Sequence, residues 1–172
     1  SRRLNAAADA YAEREIANVY DLSLDLLCIL GVDGYLKRVN PAFERTLGYE
    51  RAELLSRPLV DFVHPDDRQA VEATMARLQT GRGAGRFERR FVRLDGVVRW
   101  LEWSARPMIE RGLIYSAARD VTDARTLVEE LAISRRRIVA TADETRRRVE
   151  RDLHDGAQQR LVATILTLKQ AR

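Results

Sequence analysis

From Ala124 to Arg172 the sequence contains no proline and a single glycine, Gly156. Leu127, Leu131, Ile138, Thr145, Val149, Leu153, Leu161 and Leu168 recur along it at spacings of three or four, or their multiples. This punctuation and period predict one long amphipathic helix, ~70 Å if unbroken at 1.5 Å per residue. A lone helix cannot bury its own apolar stripe, so the segment predicts a partner helix, hence a homodimer. The excess positive charge sits in the same segment. The chain of 172 residues has 30 Lys+Arg against 26 Asp+Glu, a net charge of +4. Residues 124–172 hold 11 and 7 of these, which leaves the preceding 123 residues balanced at 19 and 19.

Those 123 residues have a different texture. Residues 4–19 are rich in Ala and Glu, lack Gly and Pro, and read as a helix. Then come short apolar runs of strand length, at 26–30, 35–39, 86–94, 97–109 and 112–119, bounded by turn residues. Between the second and third lie helical patterns at 41–47, 51–55 and 65–79. Pro65, Asp66 and Asp67 suit a helix start, where proline loses no hydrogen bond and carboxylates meet the positive end of the dipole. With 45% hydrophobic and 33% charged residues the composition is that of a folded globular chain. One cysteine, Cys28, excludes an internal disulfide. No apolar run approaches ~18 residues and no signal peptide is present, so the segment is expected in the cytoplasm. A start at Ser1 and a stop inside a helical pattern read as a piece cut from a longer protein, whose flanks have room for a membrane anchor.

Two of the apolar runs end in Asp-Gly pairs, Asp33-Gly34 and Asp95-Gly96, which predict two-residue hairpin turns. A turn of that kind at Asp95-Gly96 sets Leu94 opposite Val97, Phe91 opposite Trp100 and Arg89 opposite Glu102. One face then collects Val92, Leu94, Val97, Leu101 and Trp103, and the other holds Phe91, Val98 and Trp100 among charges. That second face is partly apolar and predicts a cover, either the N-terminal helix or a second chain.

The string DGYLKRVNPAFERTLGY (33–49), then VHPDDR (63–68), RLDG (93–96), RWLEW (99–103) and RDVTD (119–123), resembles a PAS domain from end to end. The resemblance implies an α+β class: a PAS fold with a five-stranded antiparallel sheet, helices on one face, and a possible small-molecule cavity between them. The domain is expected over 20–123, after an N-terminal helix at 1–19. Asp120, Thr122 and Asp123 stand where the next helix starts. They suit helix capping, and the resemblance adds a signalling junction to the output helix. The cofactor of the domain stays unknown. Cys28 lies on a strand and lacks the helix signature of light-sensing relatives, so it reads as a core thiol rather than a flavin ligand. His64 reads as a helix-entry residue rather than a haem or metal ligand. Asn40 and Thr46 either face a ligand or cap the following helix. Two His and one Cys make no metal cluster.

The second distinctive string is TRRRVERDLHDGAQQRLVAT (145–164). It resembles the phosphoacceptor helix of sensor histidine kinases, in the subclass that includes nitrate/nitrite sensors. Arg151, Asp152, Leu153, His154, Asp155, Gln159 and Leu161 match the pattern. Imidazole is a nucleophile at neutral pH, so an accessible ring held in one orientation can carry a phosphoryl group. His154 follows Leu153 and stands ~100° round the helix from it, at the shoulder of the apolar stripe. The resemblance makes His154 the phosphoacceptor. It makes Asp155 the residue that orients or deprotonates the ring, and Gln159, before Gln158, the one that positions water for dephosphorylation of a partner. It implies a coiled-coil signalling linker at 124–144 and a truncated dimerisation and phosphoacceptor helix at 145–172. ATP and Mg²⁺ would be bound by the parent kinase's own ATP-binding domain, and the phosphoryl acceptor would be a response regulator receiver domain. No nucleotide-binding loop lies in these residues, so the chain alone should have no autokinase activity. The triplets Arg135–Arg137 and Arg146–Arg148 overlie one another three turns apart. Asp143 and Glu144 precede the second at helical spacing, so a solvated or helix-packing face is favoured over nucleic acid. The alternative to a kinase part is a non-enzymatic PAS dimerisation and interaction module.

Overall fold

The computed structural model describes the backbone of residues 2–170 and the side chains of residues 11–83, 85–150, 154, 156 and 157. The chain divides into two compact units, one ending at Asp123 and the other beginning at Ala124.

The first unit opens with helix α1 (Arg2–Leu22), followed by strands β1 (Leu26–Gly31) and β2 (Leu36–Val39). Helices α2 (Pro41–Leu47), α3 (Arg51–Ser56) and α4 (Arg68–Gln79) come next, with short 3₁₀ turns at Leu59–Phe62 and Pro65–Asp67. Strands β3 (Ala84–Val92), β4 (Val98–Met108) and β5 (Leu113–Asp120) complete the unit. The five strands form one antiparallel sheet in the order β2-β1-β5-β4-β3. Residues from α2 to α4 pack on one face of it. Phe43, Leu47, Leu54 and Phe62 from that layer meet Phe91, Leu101 and Ile114 from the sheet, all fully buried. Alternation explains this: in β1, Leu26, Cys28 and Leu30 turn inward and the residues between them do not. Helix α2 begins on Pro41 and ends where Gly48 takes φ 80°, its N–H donating to the Glu44 carbonyl at 2.8 Å. This is the five-stranded, helix-covered architecture expected from the sequence, with a long C-terminal helix after it.

The two hairpin turns differ from expectation in the same way. Each is a three-residue loop. At Val32-Asp33-Gly34 the Gly34 N–H donates to the Gly31 carbonyl (3.0 Å) and the Gly31 N–H to the Tyr35 carbonyl (2.9 Å). At Leu94-Asp95-Gly96 the Gly96 N–H donates to Arg93 O and the Arg93 N–H to Val97 O, both 2.9 Å. Only the glycines have positive φ, 83° and 82°. The aspartates stay right-handed because their carboxylates have local donors. Asp33 Oδ1 accepts from Tyr35 N at 3.1 Å and Asp95 Oδ1 from Val97 N at 3.0 Å.

The extra loop residue shifts the β3/β4 register by one. Phe91 lies opposite Arg99, Arg90 opposite Trp100, Arg89 opposite Leu101 and Glu88 opposite Glu102. A one-residue shift changes the face of every side chain on the shifted strand. Phe91 therefore enters the core with Leu101 and Trp103, while Val92 turns outward and Leu94 and Val97 are exposed in the loop. The outer sheet face carries Leu27, Ile29, Arg38, Arg86, Arg106 and Tyr115 along a groove of about 650 Å³. The end of α1 reaches its margin. Tyr20 donates its hydroxyl to the Leu27 carbonyl at 3.1 Å, and its ring lies 4.5 Å below the Arg38 guanidinium.

The second unit is helix α5 (Thr122–Gln170), whose first two residues belong to the first unit. It runs through Gly156 without a break. Leu127, Val128, Leu131, Ile133, Ile138, Val139 and Val149 are all exposed on it. Among the described residues no helix is long and apolar enough to cross a membrane.

Candidate functional site

Three places carry residues singled out by the sequence: the exit of the sheet, its entry with the interior behind it, and the distal part of α5.

At the exit, Thr122 Oγ1 accepts a 2.8 Å hydrogen bond from the Trp100 backbone N–H, and Val121 N–H donates to the Trp100 carbonyl at 2.9 Å. Asp120 Oδ1 accepts from Thr122 N–H at 2.9 Å, an aspartate cap on the helix start. Arg99 lies between Asp120 and Asp123, its Nη1 3.7 and 3.6 Å from their carboxylates. Asp120, Thr122 and Asp123 thus converge on one strand end, at Arg99 and Trp100 of β4. The cap is present, and the helix start is bonded to the central sheet.

At the entry, Asn40 is 1% exposed and makes no side-chain cap on α2. Its Oδ1 accepts from Leu27 N–H (3.0 Å), and its Nδ2 donates to the carbonyls of Tyr20 (3.1 Å) and Asp25 (2.9 Å). It therefore stitches the end of α1 to β1. Thr46 offers its carbonyl to Arg93 at 2.8 Å. Beside Asn40, Arg119 of β5 donates twice to Asp25, at 3.0 and 2.9 Å, and holds that carboxyl below the usual range. A second bidentate pair closes the opposite side. Arg90 donates to Asp67 at 3.2 and 2.6 Å and lowers its pKa, tying the start of α4 to β3. His64 sits at that junction, its Nδ1 accepting from Asp66 N–H at 3.4 Å, a helix-entry residue as the sequence suggests.

Behind this frame, between sheet and helices, lies a cavity of about 30 Å³, enough for about one or two waters. Cys28 is not a reactive group near it. Burial pushes its thiol up to about 12, so it is protonated and inert at neutral pH. The polar groups on the cavity wall are Thr74, Arg89, Trp103 and Ser116. The register expected from the sequence set Arg89 opposite Glu102, on the other face from Leu101 and Trp103, whereas in the structure it opposes Leu101 and lines the cavity. The available signal was the alternation Phe87, Arg89, Phe91, in which one cation occupies an inward position between two aromatics. Among the described residues no cluster of His, Cys, Asp or Glu is placed to hold a metal ion.

On α5, His154 is exposed. The side chains of Asp155, Gln158 and Gln159 lie outside the described residues, as do those of Leu153, Leu161 and Leu168. Of the two arginine triplets, Arg146 pairs with Glu150 at 3.0 Å, and Arg135–Arg137 are exposed.

Comparison with known proteins agrees with this architecture. Residues 37–115 match the family model described as PAS fold. The first unit has the PAS fold. A domain of the sensory box sensor histidine kinase/response regulator from Geobacter sulfurreducens superposes with a TM-score of 0.57 at 26% identity, over 64% of this chain and 96% of that one. The PAS domain of an HTR-like protein from Haloarcula marismortui superposes with a TM-score of 0.57 at 24% identity, over 70% and 99%. A PAS domain from a two-component sensor histidine kinase gives 0.53 at 21%, over 64% and 98%. No curated protein sequence matches the chain.

Proposed function

We propose that the chain is the sensory and phosphoacceptor part of a dimeric two-component sensor histidine kinase of the nitrate/nitrite-sensor-like subclass. The PAS domain receives a signal, residues 124–144 relay it as a coiled coil, and residues 145–172 present His154. The observation that carries the sensory half is the bonding of Thr122 and Asp120 at the exit, which makes the output helix begin on the central strands. A change in sheet strain therefore reaches the first turn of α5 without crossing a flexible linker. The likeness to a domain of a sensory box sensor histidine kinase supports the same half. The string RDLHD at 151–155 supports the acceptor half, together with the exposure of His154.

In the proposed chemistry a ring nitrogen of His154 attacks the γ-phosphorus of ATP held by a separate catalytic domain with its Mg²⁺. An N–P bond forms, the bond to the ADP oxygen breaks, and the ring proton passes to Asp155. The phosphoryl group then moves to a receiver domain, and Gln159 positions the water that later removes it there. The test supplies the chain with a histidine-kinase catalytic domain and γ-labelled ATP. Acid-labile label should appear on the wild type, and His154→Gln should reduce it at least tenfold. Equal labelling of both would remove the assignment, and no labelling of either would favour an interaction module.

A further inference from the structure

Helix α5 carries one heptad pattern from Ala124 to Thr145. Ala124, Leu131, Ile138 and Thr145 are seven residues apart, and Leu127, Ser134 and Thr141 each lie three residues after one of them. These are the a and d positions of a two-stranded coiled coil. The pattern closes at Thr145, because Val149 falls one residue past the next d position. The threonines can face a seam without stranding a hydroxyl proton. Thr141 donates to the Arg137 carbonyl and Thr145 to the Thr141 carbonyl, both at 2.9 Å. A shallow depression lies on the same face, lined by Ile138, Thr141, Ala142 and Thr145 between Arg137 and Arg146. Four residues at i, i+3, i+4 and i+7 form the kind of hole that accepts one knob from a facing helix.

The charges beside this seam decide what fits it. Glu130 falls at a g position and Arg135 at an e position, and both are exposed. No Asp, Glu, Lys or Arg lies three or four residues to either side of either one, so their own helix offers them no opposite charge. In a parallel pair of helices a g residue meets the e residue five positions further along the other helix. Glu130 then meets Arg135 of a second copy, and two-fold symmetry repeats the contact. A seam rotated to run through Val128, Arg135 and Ala142 is comparably apolar elsewhere, but it sets two arginine side chains against each other away from water. The position of Arg135 therefore selects the first seam over the second.

We propose that this face of α5 docks a second copy of the chain, parallel and in register, with Glu130 of each protomer paired to the partner's Arg135. The inference rests on the coiled-coil relay above and names the contact that selects its partner. A foreign helix that carries a cation where Glu130 stands meets Arg135 as a like charge and is disfavoured. The pair gives one arginine of the triplet Arg135–Arg137 a function that its own chain does not supply.

The experiment measures the dimer dissociation constant of the whole chain by sedimentation equilibrium at low salt. Glu130→Arg and Arg135→Glu should each weaken the dimer about tenfold, since each turns two attractive contacts into repulsive ones. An equimolar mixture of the two variants, or one chain carrying both changes, should return to within about threefold of the wild type. Arg136→Glu, on the side of the helix away from the seam, should have no effect. Ser134→Cys should form a disulfide-linked dimer on mild oxidation, because d residues of parallel helices face each other; Cys28, 3% exposed, does not compete. Unchanged tryptophan fluorescence shows that each variant keeps its PAS fold. No recovery in the mixture, an equal loss in Arg136→Glu, or no linked dimer from Ser134→Cys would overturn the proposal. A wild-type dimer indifferent to the charge changes removes the Glu130–Arg135 pair and leaves the relay standing, whereas a wild-type monomer removes both.

Discussion

Asn40 is the only fully buried side chain with an amide among the described core residues, and all of its bonds go to the main chain. Its geometry leaves no neutral replacement. Asn40→Ala strands the Leu27 N–H and two carbonyls in the interior, which should cost about 2–4 kcal/mol by the usual penalty for unmade buried bonds. Asn40→Asp keeps the acceptor for Leu27 but sets an oxygen against two carbonyl oxygens, so it should be no better than alanine. Urea unfolding followed by tryptophan fluorescence measures both. A loss under 1 kcal/mol in Asn40→Ala would mean that the end of α1 is not held by this residue. The sequence marked Asn40 as polar and placed at a helix start, and the local rule for such a residue is capping. What it could not display is that residues 20–27, distant in sequence, would bring three unsatisfied groups to the same amide.

Among the elements, the β3/β4 hairpin separates two registers that differ by one residue. With the three-residue loop, Phe91 is a core residue and Val92 is not. Phe91→Ala should destabilise by about 3–5 kcal/mol and Val92→Ala by less than about 1 kcal/mol. A two-residue loop would put Val92 on the face of Leu101 and Trp103 and reverse the order. Chemical denaturation of the two variants decides the matter. The strands themselves were legible, because alternating apolar residues and Asp-Gly pairs mark where they begin and end. The register was not, because Phe91 with Trp100 and Arg89 with Glu102 make good cross-strand partners in the wrong alignment. The deciding information is the conformation of Asp95, whose carboxylate bonds Val97 N–H and keeps it out of the left-handed region. The same slip concealed the inward position of Arg89, which shares the face of Phe91 only when it opposes Leu101. The start of α5 was legible because Asp120, Thr122 and Asp123 lie within a few residues of one another, where the strand ends and the helix begins.

On the scale of the whole molecule, α5 leaves Leu127, Leu131, Ile138 and Val149 between 49 and 71% exposed. Their spacing of three to four residues, or multiples of it, is that of a helix seam, and a soluble chain rarely leaves such a stripe wet. Sedimentation equilibrium should give a dimer. Leu131→Asp combined with Ile138→Asp should shift it to monomer, with the tryptophan fluorescence of the PAS domain unchanged. A wild-type monomer at micromolar concentration would sink the coiled-coil relay.

The chain enters the PAS domain along β1 and leaves along β5, and these strands are direct neighbours within the sheet, with Leu26 opposite Ala118. Asp25 and Arg119, the adjoining residues, are bonded to each other. The way in and the way out are thus a single strand spacing apart, about 5 Å. A domain with that property is an interchangeable cartridge. It can be duplicated in series, removed, or replaced by another of the same form while the distance between the flanking segments is conserved. The domain can thus diversify in evolution while the segments on either side of it keep their spacing.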